Sequence, residues 1–138
     1  MCLAAESKGK EMEDSPLKVS IQVKTFDSSR ALATVTYQNV SEGDIWVLRY
    51  PPSLYVMLDG NEIQDIGRSE KRRAYTIADY DRVEAHAKII RQVEISEQFD
   101  FLRGSHEYMI QTGGGYKDPI TGRAWSAPPA KTKFELTR

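Results

Sequence analysis

Leu17, Val19, Ile21 and Val23 alternate without a break with Lys18, Ser20, Gln22 and Lys24. A period of two lines four apolar side chains along one face of a strand and four polar ones along the other, a set that a helix would scatter around its circumference. The segment therefore belongs in a sheet with one dry and one wet face. After the turn FDSSR comes a second strand, Ala31 to Tyr37, antiparallel to the first and stopped by the turn residues Asn39 to Asp44. Ile45 to Tyr50 is apolar on both faces and ends at Pro51-Pro52, which cannot continue a ladder. Leu54 to Leu58 and Glu62 to Gln64 flank Asp59-Gly60, a tight-hairpin signal because both turn residues tolerate positive φ.

Further strands are expected at Tyr80 to Val83, Lys88 to Ile95, His106 to Gln111 and Thr132 to Leu136. Gly67 to Asp79 keeps neither period and reads as a long surface connection with a helical turn, and the Gly/Pro-rich stretch Thr112 to Ala130 reads as a loop. No amphipathic pattern reaches helical length. The expectation is an all-β fold, an antiparallel immunoglobulin-like β-sandwich of seven to nine strands over residues 17–138, with Val19, Ile21, Val35, Trp46, Val47, Val56, Val93 and Tyr108 in its core. Residues 1–16 read as a disordered leader or tether, since their charges have no periodicity and they end at Pro16.

Composition narrows function by exclusion. Lys+Arg number 19 and Asp+Glu 20, a formal charge of −1 in 138 residues, so no basic excess favours nucleic acid or an anionic membrane. One cysteine rules out an intrachain disulfide, two histidines make a zinc cage hard to assemble, and no apolar run is long enough to span a bilayer. His106-Glu107 begins like a zinc-protease signature, but position 110 is Ile where the second His is required. No nucleophile elbow or phosphate loop is present, and the sequence is read as non-enzymatic, with no catalytic, metal or cofactor residues.

Other features point to binding. Tyr116 and Trp125 place two large aromatics in a Gly/Pro-rich loop, where burial is difficult and interface anchoring is the alternative. Arg72 and Arg73, with Tyr75 close behind, form a basic segment that either docks a partner or is simply solvated. Tyr108, shortly after Gly104, has the position of a tyrosine whose hydroxyl ties a loop to its strand. Asn39-Val40-Ser41 is a glycosylation sequon for a eukaryotic secretory protein. Cys2 directly after Met1 fits either the lipid-bearing cysteine of a lipoprotein whose signal peptide was removed or an ordinary cytosolic N-terminus with a free thiol.

Trp46 to Tyr50, Val56 to Ile63, Arg72 to Tyr80, Phe99 to Gly104 and Glu107 to Ile110 follow one another in an order that resembles the N-terminal β-sandwich of the secreted peptidyl-Lys metallopeptidases, the deuterolysin or aspzincin group. There, a strand ending Leu-Lys-Tyr precedes an Asp-Gly-Lys hairpin, a Lys-Arg…Pro-Thr…Asp-Tyr segment and a Tyr-Asp-Leu…Gly-x-Tyr motif. The resemblance covers about Leu17 to Gln111. It departs at Ala85-His86-Ala87, where the family has a Pro-Gly turn, and in two extra residues between Gly104 and Tyr108. The His-Glu-x-x-His and Gly-Thr-x-Asp segments of the catalytic region have no counterpart. The resemblance implies a binding module: a protease-directed inhibitor or immunity-type protein with a metallopeptidase or toxin as partner. The competing expectation is a structural or adhesive cell-envelope module with no protease partner. Either is expected in the periplasm or outside the cell, a cytoplasmic site remaining open.

Overall fold

The computed structural model describes residues 15–50, 53–66, 75–113 and 115–138, with 115 and 116 as backbone. The first four strands are β1 (Leu17–Phe26), β2 (Arg30–Asn39), β3 (Ile45–Leu48) and β4 (Leu54–Leu58), followed by β5 (Asn61–Glu62), β6 (Tyr80–Val83), β7 (Lys88–Glu94) and β8 (Ser105–Thr112). The last three are β9 (Gly115–Lys117), β10 (Ala124–Ser126) and β11 (Lys131–Thr137). Every ladder is antiparallel. A 3-10 turn over Ile77–Asp79 is the helical turn expected in the long connection, and no helix of the described residues is long and apolar enough to cross a membrane.

Nine of the eleven strands among the described residues fall where alternation and turn residues put them. The other two correct the sequence reading: Thr112 to Ala130 is not a plain loop but carries the ribbon β9–β10. Short, polar and glycine-rich, this ribbon has no period to betray it.

The sheets β1-β2-β7 and β11-β8-β4-β5 pack face to face as a sandwich. Ile21, Ala33 and Val35 from one, and Val56, Ile110, Phe134 and Leu136 from the other, meet in the main core. Tyr108 lies at its centre, 1% exposed, stacked on Phe134 at 5.6 Å and edge-on to Phe101 at 5.0 Å. Its hydroxyl accepts the Leu102 N–H at 3.2 Å, tying the loop after Phe101 to the strand as the sequence suggested. The Asp59-Gly60 hairpin also forms as expected, with φ of 53° and 83° and Leu58 opposite Asn61.

The ribbon β3–β6 covers a second, smaller cluster of Leu17, Ile45, Val47 and Val83. Trp46 does not take the core position expected of it. Ile45 and Val47 turn inward, so the period of two carries Trp46 to the opposite face, where it is only half-buried and stands opposite Arg82 in the ladder. Val19 and Val93 are likewise half-buried, packed against the margin of the main core.

Polar groups brace this smaller cluster. Asn39 is fully buried: its Nδ2 donates to the carbonyls of Gly43, Val83 and Glu84 at 2.7–3.1 Å, and its Oδ1 accepts from Ser41 N–H and Oγ. The sequon asparagine is therefore a structural hub, with no room for a glycan on the folded chain. Asp81 accepts from Arg91 at 2.8 Å and Arg49 at 3.1 Å, linking β7 to β6 and the end of β3. Beside Arg91, burial pushes the Tyr37 hydroxyl up to about 12, against a smaller opposing pull from the Arg91 charge.

Candidate protein-binding site

One end of the sandwich gathers aromatic side chains around a single carboxylate. As the chain leaves β3, Arg49 N–H bonds to Asp79 O at 2.8 Å, and the Tyr50 hydroxyl donates to Asp79 Oδ1 at the same distance. Asp79 Oδ2 accepts the Thr76 N–H at 2.9 Å, and Asp79 N–H returns to Thr76 O. Asp79 is 7% exposed, so one buried acid fixes both the 3-10 turn and the ring beside it. Tyr75 stacks on Tyr50 with centroids 5.7 Å apart. Tyr75 remains 48% exposed, Ile77 46% and Tyr50 38%.

The β9–β10 ribbon rises from the same end. Its root is held by Thr112 N–H to Ala130 O, by Ala130 N–H to Thr112 Oγ1, and by Gly113 N–H to Ser53 O at 3.0 Å. Ser53 follows Tyr50 by three residues, so Tyr50 lies no more than roughly 11 Å from the residue that holds the ribbon's root. At the ribbon's tip Asp118 Oδ1 accepts the N–H groups of Ile120 and Thr121, Gly122 N–H bonds to Asp118 O, and Gly122 takes a φ of 75° that suits glycine. Ile120 is exposed there. Trp125 stands opposite Tyr116 in the ladder and is half-buried, with the Arg123 guanidinium 5.4 Å from its ring centroid.

Tyr75, Trp125 and the Tyr116 backbone are thus brought to one end, although 41 residues of sequence separate Tyr75 from Tyr116. Arg72, Arg73 and Cys2 lie outside the described residues, as does the side chain of Tyr116. Tyr50, Ile77 and Ile120 join the end without having been singled out. Pro51-Pro52 was the available signal for Tyr50, because a strand halted by proline leaves its last side chain at the sheet's mouth.

Both histidines have local tasks. His86, at φ 63° in the turn before β7, meets Glu42 at 3.0 Å, and His106 Nε2 lies 2.8 Å from Arg103 O. Among the described residues no three His, Cys, Asp or Glu side chains converge as a metal site. No protein-family profile and no curated protein matches this chain.

Proposed function

We propose that this chain is a non-catalytic protein-binding module, a protease-directed inhibitor or immunity-type protein, which engages a metallopeptidase or toxin through its aromatic end. The observation that carries the reading is the grouping of exposed Tyr50, Tyr75, Ile77 and Ile120, four of the ten exposed large apolar side chains among the described residues, with half-buried Trp125 at one end of the sandwich. Aromatic anchors on loops held by a rigid scaffold are the usual means by which such a domain enters a cleft. Charge adds to it. Gly67 to Asp79 and Gly113 to Lys131 together hold seven basic and three acidic residues, in a chain of net −1. That imbalance would speed encounter with an acidic partner. The peptidase as partner class rests on the resemblance of residues 17–111 to the metallopeptidase accessory domain, and the immunoglobulin-like type of the sandwich belongs to the same reading. A periplasmic or extracellular location, with Cys2 lipidated, completes it.

Binding to a purified peptidyl-Lys metallopeptidase, alongside affinity capture from the native organism, tests the proposal. Tyr116→Ala or Trp125→Ala should weaken the complex ~30–1,000-fold with the fold intact, and Tyr75→Ala should act in the same direction. Arg72→Ala and Arg73→Ala should mainly slow association, and less so at high salt. Capture of no peptidase or toxin, or unaltered affinity in the aromatic variants, would reject the mechanism in favour of a structural or adhesive envelope module.

A further inference from the structure

The flanks of the two large sheets differ in how they are closed. On one side β1 and β11 run against each other, and Thr137 N–H bonds to Ser28 O at 2.8 Å just beyond β1. On the other side β5 ends its sheet after two residues, too short to template a partner. The remaining flank is β7, seven residues long, with β2 as its only ladder neighbour among the described residues.

Register tells which groups of β7 point outward. Asn39 N–H bonds to Ala87 O and Ile95 N–H to Ala31 O, so the peptide groups of 87 and 95 turn toward β2. Those of 89, 91 and 93 do the same by alternation. Lys88, Ile90, Gln92 and Glu94 then direct their N–H and C=O groups away from the sheet, and all four side chains are exposed, Ile90 at 55%. Of these outward groups only Ile90 O has a partner among the described residues, a 3.5 Å contact with Arg91 Nη1.

We infer that β7 pairs antiparallel with β7 of a second copy about a two-fold axis at Arg91, joining two three-stranded sheets into one of six strands. This register sets Lys88 against Glu94 of the second copy and Ile90 against Gln92, with all four residues in hydrogen-bonded pairs. Moving the axis to Ile90 or Gln92 puts Lys88 opposite Gln92 or Ser96 and forfeits both charge pairs. Glu94 is already gripped by Arg30 through two bonds of 3.0 Å, which holds its carboxylate in place for the incoming Lys88. On the inner face the two Arg91 side chains meet, each paired with its own Asp81, a carboxylate that it shares with Arg49. Charged residues on an edge ordinarily repel foreign strands. Here the same charges admit β7's own sequence. The pairing uses a different surface from the aromatic end and is independent of the peptidase reading.

Sedimentation velocity of the full chain from micromolar to submillimolar concentration tests it. The wild type should show a reversible monomer–dimer equilibrium. Gln92→Pro removes an N–H that β2 does not use, so it should fold and lose dimerisation by about 100-fold or more. Lys88→Glu should weaken the dimer roughly tenfold, and Lys88→Glu with Glu94→Lys should recover part of that loss. A wild type that stays monomeric throughout, or a dimer unaltered in both Gln92→Pro and Lys88→Glu, would overturn the inference.

Discussion

Between the two large sheets, twelve buried residues with little polar content form the main cluster, whereas under β3–β6 only four buried apolar side chains meet and Asn39, Asp81 and Arg91 bind the surrounding backbone together. The first region is stabilised by area removed from water and by close packing, which depend on shape and volume. The second depends on hydrogen bonds in a poorly hydrated place, where each is modest when made and costly when broken. Arg91 illustrates the strain of that arrangement: its guanidinium has partners, yet its Nε is buried with none among the described residues. The aromatic end grows from the β3–β6 side, so it rests on the polar-braced region as well as the dry core.

Mutation can break this contrast. Tyr108→Ala should be the most damaging, at roughly 3–5 kcal/mol in urea unfolding, since it opens a cavity among Phe101, Phe134 and the sheet. Tyr108→Phe should lose only about 1 kcal/mol, for the bond to Leu102 N–H. Asn39→Ala removes three bonds to backbone carbonyls, of which Gly43 O and Glu84 O keep a second donor in Ser41 Oγ and Ala87 N–H, and should cost about 2 kcal/mol despite removing almost no apolar area. A loss below 0.5 kcal/mol, on the order of an ordinary surface change, would mean that polar bracing is not what holds the small cluster.

Titration sharpens the contrast further. Tyr37 binds its proton more tightly in the folded chain, so its contribution is fully present below about pH 10 and is lost as pH rises toward 12, when the unfolded tyrosine ionises first. The expected decline is about 2 kcal/mol. It should vanish in Tyr37→Phe, and an identical alkaline slope in that variant would remove Tyr37 from the account. Trp46→Ala should cost only about 1 kcal/mol, because the ring lies on the outer face of β3. The smallest effect is expected from a chelator. The melting temperature should not change, and a fall of several degrees would reveal a metal site that the described residues do not supply.

Strand positions were legible wherever one face is dry and the other wet. β1 begins at Leu17, β6 spans Tyr80–Val83, and the Asp59-Gly60 turn joins its two strands, all as the pattern required. The ribbon β9–β10 was not legible, because three-residue strands bounded by glycine and proline give no period to count. Trp125 and Tyr75 stand out in the sequence by their chemistry alone. Their placement at one end does not, nor does the recruitment of Tyr50 by Asp79.

Alternation and turn chemistry are local properties, settled within a few residues of any point, and they determined that this chain is all-β, where most of its strands run and that Tyr108 anchors a loop. Which face of β3 is dry, which strand flanks the three-stranded sheet among the described residues and which buried acid organises the aromatic end are matters of long-range pairing. A run such as Ile45-Trp46-Val47-Leu48 is apolar on both sides, so no local count distinguishes its two faces. Only the packing of Ile45 and Val47 on Leu17 and Val83 decided that Trp46 turns outward, because burial is awarded by whatever element arrives opposite.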